Sequence, residues 1–276
     1  MKIDLHSHTR CSDGALLPEE LLNRAHNLQV DMLAITDHDT VAAIDPIVEM
    51  QKSCRRAIQI VPGIELSTNW HGFDVHIVGL HIDWRDPVLK TRLMQQQAAR
   101  MTRAENIAHK LQLAGCENVF TKVEKMAGQG QITRAHFAKV LVENGYVPNF
   151  EQAFKKYLAK GKRAFVKSSW ITVAQAIEWI TQAGGVAVLA HPSRYDLSAK
   201  WLRRLIVEFK DKGGAAMEVV YPGISSVIKN QMVKYTQEYD LYGSMGSDFH
   251  APSQWRELGR NLSLPEQVKP VWSLWQ

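Results

Sequence analysis

Two histidines separated by one residue, His6 and His8, lie near the start of the chain. Residues 3–9 alternate as a β-strand does, and side chains two apart on a strand project to the same face. Both imidazoles would therefore point the same way at the end of a strand, where α/β enzymes place their functional groups. Because an isolated pair of this kind is usually two surface histidines, it gains weight only from the residues that follow.

Further imidazoles and carboxylates recur at or near the ends of the other predicted strands. Glu65 lies in an otherwise apolar strand, where an unpaired carboxylate would carry a large desolvation cost. Single members of the set have ordinary explanations, such as turn formation for Asp13, but their repetition at strand ends does not. Imidazole with carboxylate, and no cysteine, indicates a metal site with mixed N and O ligands. The candidate metal ligands are His6, His8, Asp13, His38, Glu65, His76, His191, Asp248 and His250.

Strands and helices alternate at both ends of the chain, and this order predicts how the candidate ligands are positioned. The predicted strands are 3–9, 32–36, 58–67, 73–82, 186–190, 216–221 and 241–245. The predicted helices between them are 17–28, 41–57, 173–182, 199–210 and 226–238. Such alternation favours an α/β fold with a mostly parallel sheet, open or closed into a barrel, and a doubly wound sheet is the alternative.

The segment 85–167 has a different character. Its predicted elements are all helical, at 87–115, 135–143 and 150–159, with glycines between them. It carries 16 Lys and Arg against 6 Asp and Glu, whereas the rest of the chain has a net charge of −5. A basic segment within an acidic remainder indicates contact with an anion. We therefore predict an α/β domain, with its sheet open or closed into a barrel, from residues 1–84 and 168–276, and a basic, all-helical insertion at 85–167 that contributes to substrate binding.

The composition of the 276-residue chain, 45% hydrophobic and 22% charged, is that of a globular protein. No run approaches the roughly 20 apolar residues that a transmembrane helix needs, so no membrane association is expected. The chain begins with neither an apolar run nor a small-residue cleavage site, and secretion is not expected. Three cysteines far apart cannot form a disulfide framework. We expect a cytoplasmic protein, and no obligate protein partner is evident.

Several motifs together carry a family resemblance. The segments HSH, SDG, TDHD, PGIE, HIVGL, AHP and GSDFH resemble the PHP (polymerase and histidinol phosphatase) superfamily of metallophosphoesterases. The longer segments KIDLHSHTRCSDG, LAITDHDT, VPGIELST, VHIVGLHID, ITRAHFAK, KYLAKGK and VLAHPSRY are similar to one bacterial branch of it. That branch contains RNase AM, a 5′→3′ exoribonuclease, and the nucleoside 3′,5′-bisphosphate phosphatases. The similarity extends over nearly the whole chain.

The resemblance implies a distorted (β/α)7 barrel with three divalent metal ions at the C-terminal strand ends. Manganese is the metal that the branch suggests, and zinc or iron would also suit these ligands. The implied ligand groups are His6, His8, Glu65 and Asp248; Glu65, His76 and His191; and Asp13, His38 and His250. Glu65 and Asp248 would be catalytic through a metal-bound hydroxide, which is the expected nucleophile.

Basic residues outside the ligand set are candidates for binding substrate phosphates. These are Arg134, Lys160, Lys162 and Arg194, although any one of them could be a solvated surface cation. His136, beside Arg134, is undecided between a structural and a functional role. The catalytic motifs GxSxG and the P-loop are both absent from the sequence.

The predicted function is a metal-dependent phosphoesterase that acts on nucleotides. It would remove nucleotides from the 5′ end of short or structured RNA and hydrolyse nucleoside 3′,5′-bisphosphates, such as adenosine 3′,5′-bisphosphate, to the 5′-monophosphate. A histidinol-phosphate-type phosphatase is the alternative enzyme, although it would not obviously need the basic insertion. A non-catalytic PHP-like binding module is an alternative of a different class, and the complete ligand set argues against it.

Overall fold

The computed structural model describes residues 1–275. The strands are β1 (Ile3–Asp4), β2 (Met32–Ile35), β3 (Gln59–Trp70), β4 (Phe73–Leu80), β5 (Ile171–Thr172), β6 (Val186–Leu189), β7 (Ala216–Val220) and β8 (Tyr242–Met245). The α-helices are α1 (Pro18–Asn27), α2 (Ile44–Gln51), α3 (Pro87–Leu113), α4 (Val119–Ala127), α5 (Arg134–Glu143), α6 (Phe150–Ala153), α7 (Val173–Gln182), α8 (Ala199–Asp211) and α9 (Ser226–Glu238). A turn of π-helix spans Phe154–Leu158, and turns of 3-10 helix span Pro192–Arg194 and Val271–Leu274.

Seven of the strands follow one another around a barrel in the order β1-β2-β3-β4-β6-β7-β8, and the short β5 pairs with the end of β3. Neighbouring strands are parallel except around β4, which is antiparallel to β3 and to β6. Just beyond β8 and β1, Ser7 and Phe249 form a parallel bridge. The Leu5 N–H also donates to the Met245 carbonyl oxygen at 3.0 Å. The predicted distorted barrel of seven strands is confirmed, and the doubly wound sheet is excluded.

The parallel strands are short apolar runs because helices cover the outside of the barrel. All residues of β2 and of β7 are buried. On one side, α1 and α2 pack against the strands around β2 through Leu21, Leu22 and Ile44. On the other side, α7, α8 and α9 pack against β4, β6 and β7. This covering holds the strands in place and leaves the ends of the barrel for polar side chains.

Several elements differ from the sequence-based prediction, among them the short β5, which was not predicted, and the predicted helix 150–159, which consists of α6 and the π-helical turn. The predicted strand 3–9 is regular only at Ile3–Asp4, since the residues that follow pair with their neighbours through single bridges. α2 is shorter than the predicted helix 41–57, because residues 52–56 form turns and bends. α4 was not predicted, and it begins after Asn118, whose left-handed backbone (φ 56°) reverses the chain.

Between Leu80 and Ile171 the described residues form helices and contain no strand, as the sequence predicts. These helices bury an apolar cluster of their own, which includes Leu111, Val123 and Phe137. That residues 85–167 constitute a separate insertion domain stays a prediction. Within residues 1–275, none of the helices combines the length and the apolar composition needed to cross a membrane.

The helical segment is attached to the barrel beside the loop that follows β1. The Gln131 N–H donates to the Cys11 carbonyl oxygen at 2.8 Å. At Gly130 the two backbones are so close that a Cβ atom would lie 2.1 Å from the Arg10 carbonyl oxygen. Only glycine permits this approach. The contact brings Thr133, which precedes α5, to the end of the barrel that carries the candidate ligands.

Candidate metal centre

All nine candidate ligands lie at one end of the barrel, and Glu65 is at their centre with 1% of its surface exposed. Strand pairing brings Glu65 and His38 together. Glu65 on β3 bridges to His38 beyond β2, and on its other side β3 pairs with β4. The Glu65 carboxylate oxygens lie close to a ring nitrogen of five histidines: His76 (2.9 Å), His38 (3.0 Å), His191 (3.2 Å), His6 (3.3 Å) and His8 (3.3 Å).

His6 and His8 project to the same side of the chain, as their spacing predicts, and their Nε2 atoms are 3.1 Å apart. Asp248 lies against both, with its Oδ1 atom 3.4 Å from His8 Nε2 and 3.6 Å from His6 Nε2. The backbones of Asp248 (φ 52°) and His191 (φ 29°) have positive φ values. Residues with side chains rarely adopt such angles, and the strain is typical of functional sites.

Asp13 forms the third part of the site. Its Oδ1 atom is 3.2 Å from His250 Nε2, and its Oδ2 atom is 3.8 Å from His38 Nε2. The Thr133 hydroxyl donates to Asp13 Oδ2 at 2.9 Å, which links the helical segment to the site. Three groups with ligand atoms within 4.8 Å of one another result: His8, Asp13, His38 and His250; His6, His8 and Asp248; and His38, Glu65 and His76.

These groups overlap more than the division implied by the resemblance. His8 and His38 each belong to two of them, whereas the division assigned each histidine to one ion. The groups are able to hold metal ions. How many ions they hold, and which ligands each ion takes, stay predictions.

The arrangement of hydrogen-bond donors and acceptors fits a bound cation. His6 Nδ1 is 2.6 Å from a carboxylate oxygen of Glu218, so Nδ1 carries the proton and the Nε2 lone pair faces the cluster. That lone pair faces the His8 ring nitrogen at 3.1 Å and the Glu65 carboxylate at 3.3 Å. Within residues 1–275, buried Asp13 Oδ1 and His191 Nδ1 also have no hydrogen-bond partner. Imidazole nitrogens and carboxylate oxygens that converge on one space are the ligand atoms that a divalent metal ion takes.

The pKa values of His8 and of three carboxylates show an attraction for positive charge, whereas burial lowers the pKa of His38. Burial alone would lower the pKa of His8, but hydrogen bonds with Asp248 and Glu65 raise it to about 10. Burial would raise the pKa of Asp13, but the neighbouring His250 and His38 hold it well below its usual range. The pKa values of Glu65 and Asp248 are likewise held low by the surrounding histidines despite burial. The three carboxylates therefore stay ionised at neutral pH.

Glu218 is a functional residue that the sequence reasoning missed. Besides its contact with His6, it accepts the His191 N–H at 2.6 Å, so one buried carboxylate orients two candidate ligands. A carboxylate on the outer nitrogen of a histidine ligand fixes its tautomer and ring orientation. The sequence carried a signal for this residue. Glu218 is the only polar residue of the buried strand β7 (Ala216–Val220), and Glu65 is likewise a carboxylate in an apolar stretch.

A cavity of about 170 Å³ opens beside Asp13 and His38, and the helical segment supplies its far wall. Arg134 lines the cavity with its Nη2 atom 3.2 Å from Asp74 Oδ2, and Arg103 reaches the same oxygen at 3.4 Å. Two guanidinium groups on one carboxylate leave a net positive charge at the wall. An anion would be stabilised there.

Two arginines of this wall, Arg100 and Arg103, were not predicted as substrate-binding residues. Arg100 and Arg103 come from the same face of α3, and their guanidinium carbons lie 4.8 and 5.2 Å from the Trp170 ring centre. Arg100 is held by Asp39 and by the Ser67 hydroxyl. The spacing of Arg100 and Arg103 placed them on one helix face, but nothing in the local pattern indicated what that face contacts.

The other predicted substrate-binding residues occupy different positions. Arg194 donates to Asp248 and lies 4.3 Å from the Tyr221 ring centre, so it reaches the metal cluster from the barrel side. Lys160 and Lys162 are exposed. Lys160 lies 5.4 Å from the Phe73 ring centre, outside the set of residues that line the cavity. His136 belongs neither to the groups of candidate ligands nor to the residues that line the cavity. Its Nδ1 accepts the Thr133 N–H at 3.1 Å and closes the start of α5.

A barrel of this order with a cluster of histidines and carboxylates at one end defines a class of metal-dependent phosphoesterases, and residues 4–213 match the PHP domain. The chain belongs to the PHP domain family. It is 46% identical to a 5′-3′ exoribonuclease of Haemophilus influenzae, over 98% of both chains. It is 38% identical to a 3′,5′-nucleoside bisphosphate phosphatase of Chromobacterium violaceum, over 98% of this chain and 95% of that one.

A solved structure is also closely similar. It is described as an amidohydrolase from Chromobacterium violaceum with bound sulfate and no metal, and it superposes with a TM-score of 0.93 at 37% identity. The superposition covers 99% of this chain and 95% of that chain. The family predicted from the motifs is confirmed, and the relatives are named for hydrolysis of the phosphate esters that the sequence led us to expect.

Proposed function

We propose that this chain is a metal-dependent phosphoesterase that acts on nucleotides. It removes nucleotides from the 5′ end of short or structured RNA and hydrolyses nucleoside 3′,5′-bisphosphates to the 5′-monophosphate. The observation that carries the proposal is the position of Glu65, within 3.3 Å of five imidazole rings and beside a cavity walled by arginines. Cation ligands and an anion-binding wall thus share one site, and relatives along nearly the whole chain carry both activities in their names.

The proposed cofactor is a set of three divalent ions, with manganese as the first choice and zinc or iron as alternatives that the same donors accept. When bound, such ions neutralise the charge of the phosphate oxygens and activate water. Glu65 and Asp248 are the proposed catalytic residues, because both carboxylates lie within 3.6 Å of the His6 and His8 Nε2 atoms. Glu218 holds His6 in the tautomer that presents a lone pair to the site.

Phosphate binding is assigned to arginines on two sides of the cluster. Arg134 grips the 5′ phosphate through two parallel hydrogen bonds, and Asp74 holds its guanidinium at the cavity wall. Arg194 keeps Asp248 in place, and its Nη2 atom is buried without a partner within residues 1–275. A donor in that state favours a phosphate oxygen as its acceptor. Lys160 and Lys162 add positive charge outside the cavity, where they attract the RNA backbone.

Both substrate classes fit one arrangement, because each presents a 5′ phosphate to anchor and a phosphate at the 3′ position to hydrolyse. In RNA the 3′ phosphate leads to the next nucleotide, whereas in the bisphosphate it is terminal. Arg134 therefore serves both substrates in the same way.

The proposal is tested by comparing hydrolysis of a 5′-phosphorylated RNA oligomer, adenosine 3′,5′-bisphosphate and histidinol phosphate, each with manganese. We expect turnover of the first two and little of the third, and loss of all activity after chelation. Preference for histidinol phosphate would replace the proposal with the histidinol-phosphatase function. Absence of metal by elemental analysis, together with no activity after metal is added, would favour a binding module.

A further inference from the structure

Two phenylalanines of the helical segment, Phe150 and Phe154, form an aromatic pair that leads away from the catalytic cavity. Phe154 is half-buried and forms part of the cavity wall. Phe150 is 46% exposed, and its ring centre lies 5.3 Å from that of Phe154. The pair therefore extends from the wall of the cavity to the protein surface.

The backbone at the junction of α6 and the π-helical turn holds the two rings in place. Asn149 caps α6 by accepting the Gln152 N–H at 3.0 Å, which sets Phe150 at the first helical position. The π-turn that starts at Phe154 is closed by the Ala159 N–H, which donates to the Phe154 carbonyl oxygen at 3.0 Å. Turns of π-helix are rare and occur frequently at functional sites. Phe150 is thus positioned by backbone structure although it is exposed to solvent.

The surroundings of the pair are basic. The Arg134 guanidinium carbon lies 5.9 Å from the Phe154 ring centre. Lys155 and Lys156 follow directly along the chain, and both are exposed, although Lys155 pairs with Glu151. Exposed aromatic rings next to cations are the means by which proteins bind single-stranded nucleic acid, since bases stack on the rings and phosphates meet the cations.

We propose that Phe154 and Phe150 form a stacking track for successive bases of an RNA substrate. The base of the 5′ nucleotide stacks on Phe154 inside the cavity, and the base of the next nucleotide stacks on Phe150 outside it. The inference rests on the proposed function, and it adds a specificity-determining residue. A nucleoside 3′,5′-bisphosphate has a single base and uses Phe154 alone, whereas RNA uses both rings.

The substitution Phe150→Ala separates the two substrates. We expect kcat/KM for a 5′-phosphorylated RNA oligomer to fall at least about fivefold, mainly through KM, because stacking of one base is lost. The kcat/KM for adenosine 3′,5′-bisphosphate should be unchanged. Phe154→Ala should lower both values, and Phe150→Trp should retain RNA hydrolysis. The matched control is Trp201→Ala, which removes another exposed aromatic ring, on α8, and should leave both substrates unaffected.

Equal losses on both substrates in Phe150→Ala, or no loss on RNA, would overturn the track. Binding of a fluorescently labelled RNA oligomer to the full chain in EDTA keeps this inference apart from the proposed function. RNA binding that depends on Phe150, with no hydrolysis of either substrate once manganese is restored, would retain the track and reject the proposed function. Hydrolysis of the bisphosphate with no RNA binding would reject the track and retain the phosphoesterase.

Discussion

Two buried histidines, one in the barrel and one in the helical segment, have pKa values shifted in opposite directions. His8 faces Glu65 and Asp248 at 3.3 and 3.4 Å, and these contacts outweigh burial and raise its pKa to about 10. The ring of His136 accepts a hydrogen bond from the Thr133 N–H, and burial lowers its pKa to about 4. The carboxylates around His8 therefore favour positive charge on its ring, whereas burial keeps the ring of His136 neutral.

This contrast divides the site into two functions. The barrel contributes converging carboxylates and imidazoles, which suit cations. The helical segment contributes Arg100, Arg103 and Arg134 to the same cavity, which suits anions. Substitutions in the barrel should therefore reduce metal binding and every activity together, while substitutions in the helical segment should discriminate between substrates.

Glu65→Gln should produce the largest effect. The neutral amide of the glutamine lacks the negative charge that the carboxylate presents to the five imidazoles around it. We therefore expect loss of metal and a fall in kcat/KM of more than about a hundredfold for every substrate. This lower bound follows because even residues that only support metal ligands contribute tenfold to a hundredfold. Activity assays and elemental analysis measure the two effects. Full metal content with more than a tenth of the wild-type activity would remove Glu65 from the centre of the site.

Glu218→Gln should weaken metal binding by about tenfold to a hundredfold, because it removes the charged acceptor that orients His6. Competition with a chelator for Mn²⁺ measures the affinity without reliance on turnover. The matched control is Glu238→Gln on α9, a carboxylate that pairs with Arg203 and should leave the affinity unchanged. If both variants bind Mn²⁺ as the wild type does, Glu218 has no part in positioning the ligands.

Arg134→Ala tests the helical side of the comparison. We expect about a tenfold or larger drop in kcat/KM for 5′-phosphorylated RNA and for adenosine 3′,5′-bisphosphate, since a charge-assisted contact contributes roughly 1.5–3 kcal/mol. A simple aryl phosphate, which has no second phosphate, should lose little. Arg92→Ala is the control, because Arg92 pairs with Glu178 instead of facing the cavity. Equal losses on all three substrates would indicate a structural role for Arg134.

The same contrast explains how much the sequence predicted. The barrel strands are apolar runs followed by or carrying a His, Asp or Glu, so local patterns located the strands, and the candidate ligands lie together as those patterns predicted. The cavity wall depends on contacts far apart in the chain: Arg100 bonds to Asp39, which is 61 residues away. No local pattern encodes such a partner. Glu218 is different, because a lone carboxylate in the apolar run of β7 is a local signal of the same kind as Glu65.

His136→Gln should have the smallest effect, and it concerns stability instead of catalysis. Gln at this position can still accept the Thr133 N–H, since Thr-x-x-Gln is a standard capping box, so α5 keeps its start. The substitution removes only the titrating ring.

The sign of the pH dependence follows from the lowered pKa of His136. Below the usual histidine pKa of about 6.5, the unfolded chain binds a proton at this residue and the folded chain does not until about pH 4. The wild type should therefore lose about 2 kcal/mol of unfolding free energy through His136 between pH 7 and pH 5. Over the same pH range, the unfolding free energy of His136→Gln should fall by about 2 kcal/mol less than that of the wild type, because the remaining titrating groups are common to both proteins. Urea unfolding at the two pH values in EDTA measures the difference, and equal losses in both proteins would show that the folded state protonates His136 as readily as the unfolded chain does.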